Sequence, residues 1–181
     1  LDNISYFMCW TFISLGLAVI WGMGGILSFG QTAFFGLAGY AFSVISINFL
    51  GIAGVSIWSV VLSLIITGIF GMIVGYFLFY GGIYDVFIGI VTLAITLVLE
   101  TFMQQTAGPE YAIGSARLNG FNGMQGMPTI GFESLQFGLL EGITQYYFIL
   151  LLAIIILISL YKFKQSKIGL VFLASKEDRE R

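Results

Sequence analysis

Apolar positions in this chain run on for longer than a water-soluble fold can use. Between Asp2 and Asp85 there is no Asp, Glu, Lys or Arg, an interval of 82 residues (positions 3–84). A helix needs about 20 apolar residues to cross the roughly 30 Å hydrocarbon layer, so this interval has room for about three crossings and short turns. Residues 4–27, 30–50 and 55–80 read as the first three spans. Residues 86–105 read as a fourth and 143–161 as a fifth. The fifth carries Tyr146 and Tyr147 at one end and Tyr161 with Lys162 at the other, an interfacial anchoring pattern. The fold class expected is all-α integral membrane, with about five transmembrane helices. They belong to one domain over residues 1–161, followed by a cytoplasmic segment over 162–181.

Composition agrees with the pattern. Hydrophobic residues make up 59% of the chain and charged residues 9%, against about 45–50% and about 25% in soluble domains. Basic residues give a direction. Six of the seven, Lys162, Lys164, Lys167, Lys176, Arg179 and Arg181, follow the fifth span, and the positive-inside bias puts that tail in the cytoplasm. Counting back, residue 1 and the loop 106–142 face outward. That loop holds Pro109, Pro128 and the turn-forming pairs Asn119-Gly120 and Asn122-Gly123. Short surface helices are expected in it around residues 132–141.

Absences narrow the chemistry. With no His and a single cysteine, Cys9, the chain offers no imidazole ligand and no internal disulfide. No Gly-rich loop ends in Gly-Lys-Ser/Thr, so no phosphate-cradling ATPase site is expected. No catalytic constellation assembles, so no enzyme activity, metal or cofactor is expected. The net charge of −2 says little about partners, because the charges are so unevenly placed; membrane lipid is the expected surround, and no nucleic-acid partner is expected. Leu1 at the start and a charged run at the end suggest an internal piece of a longer protein. With no basic region before the first apolar run, no signal peptide is expected.

Two features carry the candidate chemistry. Gly22 to Tyr40 holds six glycines with Ser28, Gln31 and Thr32 between two apolar spans. Glycine at that density permits either a tight turn between closely packed helices or a broken helix beside a substrate path. In the fourth span Thr92, Thr96, Glu100 and Gln104 recur every four residues, drifting only about 40° per step, so they line one side of a helix. An acid within a span is costly and faces the bundle interior or water. The stripe is therefore either a path wall or an interhelical hydrogen-bonding seam. Gly71-x-x-x-Gly75, with Gly68 before it, suits close helix crossing. The tail from Ser166 to Arg181 is either a solvated amphipathic helix or a docking surface.

The run AVIWGMGGILSFGQTAFFGLAGYAF, Ala18 to Phe42, resembles the signature of permease subunits of bacterial branched-chain amino-acid ABC transporters and the related urea and short-amide permeases. IGIVTLAITLVLE (Ile88 to Glu100), NGMQGMP (Asn122 to Pro128) and SKIGLVFLASKEDRER follow in that family's order. The resemblance implies a non-enzymatic transport subunit in the bacterial inner membrane. Its partners would be a homologous permease, two cytoplasmic ATP-binding subunits and an extracytoplasmic solute-binding protein. It implies a substrate path touching Ser28, Gly30, Gln31, Gly36, Gly39, Thr92, Thr96 and Glu100, and ATPase coupling through Gly169, Lys176, Glu177 and Asp178. Three departures stand out. The acid that follows Val-Thr-Leu in the amino-acid members is apolar here at Leu97 or Val98 and appears at Glu100. Basic residues before the fourth span are missing, and the outer loop is longer between Gly108 and Asn122. An ion-coupled carrier or channel is the alternative class, against which only Glu100 is available as an acid within a span.

Overall fold

The computed structural model describes residues 2–83, 86–132, 137–138 and 142–177. Contacts divide the chain into two units, one of Leu1–Ser28 with Leu140–Arg181, the other of Phe29–Leu139.

The first unit holds α1 (Asp2–Gly24), α5 (Gly142–Gln165) and α6 (Lys167–Glu177). The apolar run of α1 ends where Gly25 turns left-handed at φ 64°. Its N–H donates to Trp21 O at 2.9 Å, a left-handed cap that a residue with a Cβ adopts only with strain. α1 packs on both α5 and α6. The α5–α6 junction is a single residue, Ser166. Its hydroxyl accepts the Gly169 N–H at 3.1 Å and lies 2.7 Å from Phe163 O, capping the N-terminus of α6. At Gly169 an added Cβ would collide with the Phe163 carbonyl oxygen, so this predicted coupling residue also closes the α5–α6 bend.

Where α1 ends, an added Cβ on Gly24 would stand 3.0 Å from Cζ of Phe172 on α6. Gly24→Leu is therefore expected to push the Phe172 ring aside and loosen α6 from α1, overpacking of the kind that costs about 1–3 kcal/mol. Hydrogen exchange of the α6 amides should accelerate roughly tenfold or more on that scale. An unchanged rate would show that this contact does not hold α6.

The second unit holds α2 (Gln31–Asn48), α3 (Val55–Tyr80) and α4 (Val86–Gln104). α2 and α3 form an antiparallel hairpin around the turn 49–54: Phe34 stacks edge-on with Phe70 at 5.8 Å, and the two stand at nearly the same distance along the chain from that turn. Ser43 and Ser46 of α2 and Ser56, Ser59 and Ser63 of α3 are buried. Small hydroxyl side chains let two helices approach closely while bonding to their own backbone, as Ser43 does to Gly39 O at 2.8 Å and Ser63 to Val60 O at 2.8 Å.

This seam corrects the expectation for the glycines. A Cβ added at Gly68 would meet nothing within 4 Å, and of the three only one added at Gly71 would reach another helix, at 3.7 Å from Phe34. The reason is angular: Gly68 lies nine residues beyond Ser59, about half a turn around the helix at roughly 100° per residue. The serine face took the helix partner and left Gly68 on the opposite side.

Four helices are long and apolar enough to cross a membrane: Ile4–Gly24, Val55–Tyr80, Val86–Gln104 and Ile143–Gln165. The second expected span, 30–50, is the exception. It is a helix of 18 residues with Gln31 and Asn48 at its ends, and its polar positions keep it out of that set. At most 17% of any of the four windows is buried, which leaves their apolar faces to lipid or further polypeptide.

The expected surface helix near 132–141 is not found where the chain is described. β3 (Gly131–Phe132) and β4 (Phe137–Gly138) pair antiparallel. Residues 133–136 and 139–141 lie outside the described residues.

Candidate functional site

The site is built in the second unit, on the polar stripe of α4. Thr92 is buried, its hydroxyl 2.8 Å from Ile88 O and 3.0 Å from Gly89 O. A threonine satisfied this way within its own helix keeps its oxygen as an acceptor, and that oxygen receives the N–H of Phe29 at 3.0 Å. One turn on, the Thr96 hydroxyl lies 3.2 Å from Phe29 O and 2.9 Å from Thr92 O, one proton shared between two carbonyls. The two threonines thus satisfy both polar backbone groups of Phe29, in the non-helical stretch 25–30 just before α2. Non-helical backbone survives at membrane depth only with such partners.

Beyond the threonines the stripe changes role. Gln104 Nε2 donates to Glu100 Oε1 at 3.0 Å. Together with Thr96 they line an open-sided cavity of about 420 Å³. Its other walls come from α2, with Thr32, Gly36, Leu37 and Tyr40, from Leu99 and Met103 of α4, and from Phe121. The cavity combines one carboxylate, an amide and hydroxyls with an aliphatic and aromatic surface, the mixture typical of small-molecule sites.

Phe121 belongs to a 3₁₀ turn, Gly120–Asn122, in the loop that follows α4. Here β1 (Ala112–Ile113) and β2 (Ala116–Arg117) form a small antiparallel hairpin. Asn48, at the end of α2, holds its tip. Asn48 Nδ2 donates to Ile113 O at 2.7 Å, and its Oδ1 accepts from Ser115 N at 2.8 Å and lies 3.2 Å from Ser115 Oγ. Gly114, at φ 64°, sits so close that an added Cβ would overlap Asn48 Oδ1. Beneath the hairpin Ala116, Leu118 and Met124 are buried against Tyr40, Val44, Ile47 and Met103. Farther along, Ser43 Oγ lies 3.4 Å from Met127 Sδ. The methionines of NGMQGMP are thus anchors that fasten the loop to α2.

A family model described as the permease component of a branched-chain amino acid transport system matches residues 1–181. The chain belongs to that family. No curated protein and no solved structure matches it. This permease chain is therefore a multi-pass membrane subunit of an ABC transporter, a transport component rather than an enzyme.

Of the residues singled out from sequence, Gly36, Thr96 and Glu100 come together in the cavity wall, and Thr92 joins Thr96 in holding Phe29. Ser28 and Gly30 are buried within the break. Gln31 opens α2, its Nε2 buried without a hydrogen-bond partner among the described residues. Gly39 supplies the carbonyl that Ser43 bonds and does not line the cavity. Lys176 and Glu177 end α6, and Asp178 lies outside the described residues. Sequence reasoning missed Leu37, Tyr40, Met103 and Phe121 as wall residues and Asn48 as the loop anchor. Asn48 did carry a signal, a lone amide closing an apolar run.

Proposed function

We propose that this chain forms part of the translocation path of an ATP-driven importer for branched-chain amino acids, with the α2–α4 cavity as a stretch of that path. The observation that carries the reading is the cavity's composition: one carboxylate, at Glu100, faces a largely aliphatic wall, as a small polar solute with an aliphatic body requires. The partners are a homologous permease, two cytoplasmic ATP-binding subunits and an extracytoplasmic solute-binding protein, in a bacterial inner membrane. Lys162 and Lys164 in the last turn of α5 support a cytoplasmic tail. With α2 counted as a crossing, residue 1 then faces outward. Coupling to the ATPases runs through Gly169, Lys176, Glu177 and Asp178.

Reconstitution of the assembled complex tests this. Leucine uptake by proteoliposomes should require ATP and the binding protein. Charge reversal at Lys176 and Asp178 should lower ATP-driven uptake severalfold with the helices intact. Uptake that follows an ion gradient without ATP, in a preparation that yields no ATPase, would overturn the importer reading in favour of an ion-coupled carrier.

A further inference from the structure

We infer that the α2–α4 cavity reads the nitrogen end of its ligand, taking a small aliphatic ammonium or amide with Glu100 as the specificity-determining acceptor. This rests on the proposal that the cavity lies on the substrate path.

The case begins with what surrounds Glu100. Gln104 Nε2 holds its Oε1 at 3.0 Å, which orients the carboxylate and leaves the other oxygen to accept. Tyr40 and Thr32 bring hydroxyls that can donate or accept, and Thr96, whose proton is taken by Phe29 O and Thr92 O, brings an acceptor. Among the described residues no lysine or arginine lines the cavity. Arg117, the nearest in sequence, lies exposed on β2 and outside the cavity wall. A ligand carboxylate beside Glu100 would meet a like charge with no cation to offset it, whereas an N–H head meets an oriented acceptor. The remaining wall, Leu37, Leu99, Met103 and Phe121, suits a branched aliphatic body. For an amino acid this assigns the α-ammonium and side chain to this wall, and the carboxylate to groups outside it. For an amide, the N–H groups take the same place.

Three probes share one aliphatic body and differ in the head: isopentylamine, isovaleramide and isovalerate. Titration calorimetry on the detergent-purified assembled complex, without nucleotide, should find the amine tightest, the amide next and the carboxylate at least about tenfold weaker than the amine, as like-charge repulsion requires. Glu100→Gln should weaken the amine about tenfold or more and leave the amide within about threefold. Leu37→Trp, which fills the cavity, should remove binding of the amine and the amide. Isovalerate binding as tightly as isopentylamine overturns the inference. So does amine affinity unchanged by Glu100→Gln, amine or amide binding that survives Leu37→Trp, or no binding of any probe at millimolar concentration. A complex that imports leucine with ATP yet shows no such order of heads leaves the importer reading standing and removes this one. Glu100-dependent amine binding by a complex without ATP-driven uptake does the reverse.

Discussion

Thr92→Val is expected to destabilise the detergent-purified protein by about 1 kcal/mol, the cost of leaving the part-buried Phe29 N–H without its acceptor. Valine keeps the shape of threonine and removes the oxygen that accepts the Phe29 N–H at 3.0 Å. Thr96→Val should cost less. Phe29 O keeps its second lone pair, and the Thr96 proton is already shared with Thr92 O. The same chemical change elsewhere serves as the control. Thr67 Oγ1 on α3 is buried with no hydrogen-bond partner among the described residues, so Thr67→Val should be neutral or stabilising. Thermal unfolding of the three variants side by side would decide the matter. Equal shifts for Thr92→Val and Thr67→Val would mean that the clamp on Phe29 contributes nothing.

Gly114→Val should release the β1–β2 hairpin. A β-branched residue at φ 64° is strained by about 1–3 kcal/mol, and its Cβ would overlap Asn48 Oδ1, breaking the three contacts that Asn48 makes with Ile113 and Ser115. Trypsin reports the result, because Arg117 is the one Lys or Arg before Lys162. Its neighbours Ala116 and Leu118 are buried, so cleavage requires the hairpin to lift. Cleavage after Arg117 should accelerate by about tenfold or more for Gly114→Val, since each 1.4 kcal/mol lost raises the opened fraction tenfold. Asn48→Ala should lie between it and wild type. Protection equal to wild type in both variants would show that the hairpin is held by its apolar underside alone.

Much of this was legible in the sequence because hydrophobicity is read locally. The four long helices follow from long apolar runs almost free of charge, and the four-residue spacing of Thr92, Thr96, Glu100 and Gln104 placed them on one side of α4. What the spacing could not give was their partner. Phe29 is held through its backbone, and a carbonyl or an amide N–H has no sequence signature. The choice between a serine and a glycine face on α3 was hidden for a related reason, since both permit close approach and only the partner helix selects one. The β1–β2 hairpin has two-residue strands, too short for alternation to show, and owes its place to Asn48. Tyr40 and Phe121 became wall residues only when three distant segments met.

The clamp on Phe29 also orders events in time. Phe29 precedes Thr92 by 63 positions and Thr96 by 67, so a growing chain carries the break well before either hydroxyl exists. α2 and α3 can already pair through their serines, yet the Phe29 N–H and C=O still lack these partners, a state costly wherever water is absent. The break therefore reaches its final shape only when α4 arrives, and the cavity walls, which share that helix, form in the same step. In biosynthesis the fourth helix is the one that commits the fold.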